Sequence, residues 1–80
     1  MKTHEFKKAV ERLKLRVEND ERMLVIDEVD TLNWLADVSL DAQYGMRMYF
    51  GMAEEIGEEK THELAKLVIE YATTPIAERE

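Results

Sequence analysis

Histidine beside carboxylate is the residue pairing in this sequence most able to do chemistry. His4 and His62 are followed by Glu5 and Glu63, and Glu59 stands three residues before His62. Histidine next to a carboxylate can bind a metal ion or relay protons. The Glu-x-x-His spacing occurs in di-iron helical bundles, but such a site needs two copies and two further glutamates. One copy indicates solvated surface side chains, so we predict no metal site and no cofactor.

Motifs of other catalytic sites are missing from the sequence. There is no His-Glu-x-x-His motif, no Gly-rich phosphate loop and no EF-hand spacing, and Ser39, the only serine, does not lie in a nucleophile elbow. The chain has no cysteine, which excludes disulfides, thiolate nucleophiles and Cys-based zinc sites. Eighty residues also leave little volume for a catalytic cleft. We therefore predict that the protein is not an enzyme.

The charge of the chain limits its partners. The net charge of −7 argues against direct nucleic-acid binding, because affinity there depends on neutralising phosphates. Residues 1–16 nevertheless carry six basic and only two acidic side chains. No apolar run is long enough for a secretory signal or a membrane span. We expect a soluble, cytoplasmic protein that contacts no membrane.

The elements that must position any site begin with a helix. From Thr3 to about Lys14, apolar residues recur with the i, i+3, i+4, i+7 spacing of one helix face, at Phe6, Ala9, Val10 and Leu13. Thr3 is the expected N-cap. A second helix is predicted from Gly57 or Glu58 to about Thr73, where Pro75 ends helical geometry. The few residues after Pro75 are expected to fray.

Alternating residues between the helices predict strands. Leu15 and Val17 alternate with charged residues, and the turn formers at 19–21 connect them to an apolar return strand at 23–26. A third strand is predicted with Leu32, Trp34, Ala36 and Val38 on its core face and Trp34 as the leading core residue. Residues 44–50 suit a strand or a helix, with a strand favoured because Gly45 and Gly51 disfavour a helix.

The predicted fold class is α+β and consists of one domain over residues 1–80. Its order is an N-terminal helix, a three- or four-stranded antiparallel meander, and a C-terminal helix packed on one face of the sheet.

The C-terminal segment carries a resemblance to a known group of proteins. Residues 64–80 read LAKLVIEYATTPIAERE. This segment resembles the C-terminal signature of small acidic proteins encoded by phages and prophages of Gram-positive bacteria. The resemblance implies a phage origin, and because that family has no assigned activity it implies no catalytic or binding residue.

Two surfaces are candidates for partner binding. Methionines near aromatic residues suit either core filling or an adaptable protein interface, and the candidate interface comprises Met46, Met48, Tyr49 and Met52. The candidate acidic surface comprises Glu54, Glu55, Glu58 and Glu59. We expect a protein-interaction module with an unidentified protein partner, or a homodimer. The alternative is an acidic nucleic-acid mimic that inhibits a basic host protein.

Overall fold

A four-stranded antiparallel sheet with helices on one face forms the fold. A computed structural model describes residues 1–80. The helices are α1 (Thr3–Arg12), α2 (Met52–Ile56) and α3 (Glu58–Thr73), followed by a 3-10 turn (Ile76–Glu78); the strands are β1 (Leu15–Asp20), β2 (Met23–Glu28), β3 (Trp34–Ser39) and β4 (Met46–Met48). Each strand pairs with the next along the chain. The predicted α+β meander is confirmed, in its four-stranded form.

The core lies between α1, α3 and the sheet. The i, i+4 spacing of Phe6 and Val10 buries both side chains, and the Phe6 ring stacks on Tyr71 of α3 with ring centroids 4.5 Å apart. Thirteen buried residues make up this core: Phe6, Val10, Leu15, Leu24, Ile26, Leu35, Ala36, Val38, Met52, Leu64, Val68, Tyr71 and Ala72.

The first helix begins differently from the prediction. Thr3 is already helical and is not the N-cap; its hydroxyl forms a 2.6 Å hydrogen bond with the Tyr71 hydroxyl. The backbone N–H of Lys2 instead donates to a Glu5 carboxylate oxygen at 2.8 Å. The Thr3 side chain therefore ties α1 to α3, which prevents it from capping its own helix.

A β-bulge in β3 overturns the predicted core position of Trp34. Ile26 pairs with Ala36 but Asp27 pairs with Trp34, so Leu35 is an extra residue in β3. Because of this extra residue, the side chain of Trp34, which precedes it, points to the opposite face from the one that strict alternation predicts. Leu35 is consequently buried in the core, whereas Trp34 is half-buried on the opposite face of the sheet, together with Asp27. Leu32, also predicted to face the core, lies exposed in the β2–β3 turn.

The segment at residues 44–50 contains a strand, as favoured, but only residues 46–48 belong to it. The chain then turns sharply at Gly51, where a Cβ atom would lie only 2.7 Å from the Tyr49 ring. The short helix α2 that follows was not predicted. Gly57, with a φ of 88°, separates α2 from α3 in a conformation that L-residues rarely adopt.

The C-terminal residues are held in place, so the prediction that they fray is wrong. After α3 ends at Thr73, as predicted, the Arg79 side chain folds back and is only 3% exposed. Its guanidinium donates to the carbonyl oxygens of Thr74, Ser39 and Ala72 at 3.0, 2.7 and 3.1 Å. These groups include carbonyls at the end of α3, which have no partner within the helix.

Candidate protein-binding surface

The face of the sheet opposite the helices, called the outer face here, is not covered by any other element. A shallow groove of about 240 Å³ runs across it, lined by Asp20, Met23, Val25, Trp34, Asp37 and Arg47. Antiparallel sheets often leave one face in water, and that face is then mainly polar. Within this groove the polar side chains alternate with Met23, Val25 and Trp34, and tryptophan, methionine and arginine are among the residues enriched at protein interfaces.

An ion pair between neighbouring strands organises the groove. Asp37 on β3 lies opposite Arg47 on β4, and the carboxylate accepts hydrogen bonds of 2.6 Å from Nη2 and 3.1 Å from Nε. Asp37 is 2% exposed beneath the guanidinium, which itself remains largely exposed. These hydrogen bonds raise the pKa of Arg47 above its ordinary value. The guanidinium is thus held charged and fixed, and its Nη1 donates to no group of the protein.

Aromatic side chains continue from this ion pair to the end of the sheet. The Arg47 guanidinium lies 5.5 Å from the centroid of the Trp34 ring, in cation–π geometry. The Trp34 and Tyr49 centroids are 6.4 Å apart, and the Tyr49 and Phe50 centroids 5.4 Å apart. The Phe50 side chain is 99% exposed. We call Trp34, Arg47, Tyr49 and Phe50 the aromatic–arginine cluster.

The structure divides the predicted methionine interface between two roles. Met52 is buried in the core, and Met46, Met48 and Tyr49 are half-buried and pack against the core. Of these four residues, only Tyr49 also belongs to the aromatic–arginine cluster. Trp34, Arg47 and Phe50 were not predicted as surface residues. Asp37 and Arg47 lie on the non-core side of adjacent strands, a pattern that could have indicated Arg47, whereas no pattern in the sequence indicates Trp34 or Phe50.

The predicted acidic residues lie together. Glu54 and Glu55 are on α2 and Glu58 and Glu59 are in the first turn of α3, and all four are exposed. None forms an ion pair with a lysine or arginine. Glu58 and Glu59 line a groove of about 440 Å³ beside Leu13. Two further acidic groups lie at opposite ends of β2, so they form no single stripe: Glu18, Asp20 and Glu21 at one end, and Asp27, Glu28 and Asp30 at the other.

The two histidines are far from the aromatic–arginine cluster in the fold. His4 lies on α1, in a groove of about 420 Å³ that it shares with Glu5 and Glu70, and His62 is exposed on α3. No group of three or more His, Asp or Glu side chains is arranged to hold a metal ion. The Ser39 hydroxyl accepts hydrogen bonds from the backbone N–H groups of Asp41 and Ala42, which is a turn-stabilising role.

None of the helices combines the length and the apolar character needed to cross a membrane. No protein-family model, curated protein or solved structure matches the chain. The role of the surface has to be inferred from its own residues.

Proposed function

We propose that the protein is a non-enzymatic protein-interaction module that presents the aromatic–arginine cluster to a protein partner. The observation that carries the proposal is the complete exposure of Phe50 at the end of a chain of aromatic contacts. Burying a phenylalanine side chain is worth about 1.5–3 kcal/mol. Tryptophan, tyrosine and arginine are also the residues most often found to dominate binding energy at interfaces.

The cluster is preorganised for contact. Asp37 and Trp34 fix the Arg47 guanidinium from two sides, and the Tyr49 ring lies directly over Gly51. Ordering a flexible side chain on binding costs roughly 0.5–1.5 kcal/mol, so side chains that are already fixed lose less on association. The cluster therefore keeps more of its contact energy as affinity than mobile side chains would.

The surroundings define the chemistry of the partner. Phe50 requires an apolar pocket, and the free Nη1 of Arg47 requires a hydrogen-bond acceptor beside that pocket. Glu54 and Glu55 follow Phe50 closely in α2 and favour basic groups at the rim of the partner's site. The resemblance of residues 64–80 supports a phage or prophage source, so we propose that the partner is a bacterial host or phage protein.

Affinity capture with matched variants tests the proposal. Wild-type protein, Phe50→Ser and Ile69→Ser are immobilised and exposed to lysate of a Gram-positive bacterium. Ile69 is exposed on α3, away from the cluster, so its variant controls for the loss of any surface apolar residue. We expect a protein that wild type and Ile69→Ser retain and Phe50→Ser loses. Retention of the same proteins by all three baits would refute the role of the cluster.

The second candidate function is an acidic nucleic-acid mimic that inhibits a basic host protein. The observation that favours it is the group of four exposed carboxylates on α2 and α3 with no cationic partner in the chain. Binding through this group would weaken steeply with added salt and would be lost on reversing Glu58 and Glu59. Binding through the aromatic–arginine cluster would survive that double reversal and would weaken less with added salt, because the contact of Phe50 is apolar.

A further inference from the structure

The strand β1 forms one edge of the sheet, and part of its backbone has no partner. The Glu28 N–H donates to the Asn33 carbonyl at 3.0 Å, so even-numbered residues of β2 bond toward β3. The direction of the backbone hydrogen bonds alternates along a strand, so the odd-numbered residues of β2 bond to β1. Their partners on β1 are the even-numbered residues Arg16, Glu18 and Asp20. The N–H and C=O groups that point outward from the edge therefore belong to Leu15, Val17 and Asn19.

No other backbone group of the chain pairs with these outward groups, and Lys7 of α1 reaches this edge only through the side-chain Oδ1 of Asn19, at 2.9 Å. None of the backbone hydrogen bonds outside the helices and strand ladders involves Leu15, Val17 or Asn19. Natural edge strands are often blocked by a proline, a bulge, a covering loop or charged side chains, and β1 carries the last of these in Arg16, Glu18 and Asp20. Such charges repel a strand of like charge but admit one that places opposite charges beside them. The β1 strand has no proline and pairs with β2 in an unbroken register over six residues. It is a regular strand open to addition of another strand.

We propose that β1 pairs with β1 of a second copy of this chain, antiparallel and with the two-fold axis at Val17. In this register Val17 lies opposite the partner's Val17, and Leu15 lies opposite the partner's Asn19. In both pairs, the outward-pointing N–H and C=O groups of one copy face those of the other copy, so they can form the hydrogen bonds of an antiparallel ladder. The two sheets would join into one sheet of about eight strands, because each copy contributes four.

Charge complementarity selects the second copy and the register. Residues 14–20 read KLRVEND, a sequence in which the charges invert about Val17. The proposed pairing places Arg16 opposite the partner's Glu18 and Lys14 opposite the partner's Asp20, so the two-fold axis generates four attractive pairs. Opposite charges facing each other across strands stabilise a pairing by roughly 0.2–1 kcal/mol each.

The neighbouring registers are disfavoured by the same residues. A shift of the axis to residue 16 places Arg16 opposite the partner's Arg16, and a shift to residue 18 places Glu18 opposite the partner's Glu18. Like charges directly opposite one another destabilise a strand pair. Arg16 and Glu18 form an ion pair with each other on the outer face of the sheet, and both remain partly exposed, so each can also contact a facing side chain on an added strand.

This inference goes beyond the proposed function and does not depend on it. The strand β1 is at one edge of the sheet, and the aromatic–arginine cluster lies near the other edge, at β3 and β4. The dimer would therefore leave both copies of the cluster accessible and present them to partners as a bivalent surface.

Charge reversal measured by sedimentation velocity tests the proposal. We expect a wild-type dimer and a dissociation constant raised at least about tenfold in Glu18→Arg, since two symmetry-related pairs become repulsive. The double variant Arg16→Glu/Glu18→Arg restores opposite charges across the axis and should recover the dimer. A mixture of Glu18→Arg with Arg16→Glu should form a mixed dimer for the same reason. Glu70→Arg, a reversal on α3, should associate as wild type does.

Hydrogen exchange on the wild-type chain provides a second readout that needs no variant. Pairing at β1 should protect the Val17 amide progressively as protein concentration rises, while the exchange of core amides stays constant. A wild-type monomer at millimolar concentration, or a Glu18→Arg dimer of unchanged affinity, would overturn the proposal. So would a Val17 amide whose exchange is independent of concentration in a chain that dimerises.

Discussion

Replacing Arg79 with alanine should destabilise the fold strongly, although Arg79 is the penultimate residue of the sequence. Its guanidinium makes three hydrogen bonds to carbonyl oxygens and lies 4.4 Å from the Tyr71 ring centroid. Hydrogen bonds to a charged group contribute roughly 1.5–3 kcal/mol each, and cation–π contacts about 0.5–2 kcal/mol. Removing the buried ion also removes its desolvation cost of several kcal/mol. The net loss in the free energy of unfolding should be about 2–4 kcal/mol.

Urea denaturation followed by far-UV circular dichroism measures this loss. A destabilisation of about 1 kcal/mol shifts Tm by roughly 4–8 °C in a domain of this size, so in thermal unfolding Arg79→Ala should also lower Tm by at least about 8 °C. Arg79→Lys keeps the charge but loses the planar set of donors, so its Tm should lie between those of wild type and Arg79→Ala. Glu78→Ala, exposed in the same turn, is the control and should change little. A loss below about 1 kcal/mol in Arg79→Ala would show that the C-terminal residues fray.

Three further changes have defined outcomes. Burial raises the pKa of the Asp27 carboxyl although Arg16 lies 3.5 Å away, so ionised Asp27 lowers the stability of the fold above that pKa. Asp27→Asn should therefore raise Tm at pH 7, and this gain should vanish below pH 3.8, where the carboxyl is protonated in both the folded and the unfolded chain. Hydrogen bonds from Thr31 lower the pKa of Glu28, so the stability that Glu28 provides is present above pH 4.5 and lost as pH falls through the lowered pKa; the Thr31 amide shift should titrate below pH 4.5 by NMR. Gly57→Ala should cost about 1–3 kcal/mol in urea denaturation, from backbone strain at φ 88° and not from a clash; an unchanged stability would contradict this.

The elements of the fold followed from local patterns. The helical spacing of Phe6 and Val10 depends only on nearby residues, and Pro75 ends a helix for steric reasons that act locally. The structure accordingly has both main helices and all strands close to their predicted positions. The short helix α2 escaped prediction because its five residues are too few to show a helical period.

The candidate surface did not follow from local patterns, because it depends on contacts between strands. Strict alternation places Trp34 on one face with Ala36 and Val38, and Leu35 on the other face with Asn33 and Asp37, so the local pattern favours Trp34 as the core residue. The bulge that chooses Leu35 exists only in the pairing of β2 with β3. Arg79 likewise has a charged, C-terminal position that locally indicates solvent exposure. Its burial depends on carbonyl groups contributed by β3 and α3, which no short window of sequence contains.

The central claim is that Trp34 and its neighbours form an outer surface of the sheet instead of part of the core. Trp34 is the only tryptophan of the chain, so acrylamide quenching of tryptophan fluorescence reports on this one side chain. We predict strong quenching in the folded protein, increased further in Arg47→Ala, where the guanidinium no longer covers the ring. Blue-shifted emission that acrylamide barely quenches would place Trp34 in the core and contradict the account of the binding surface.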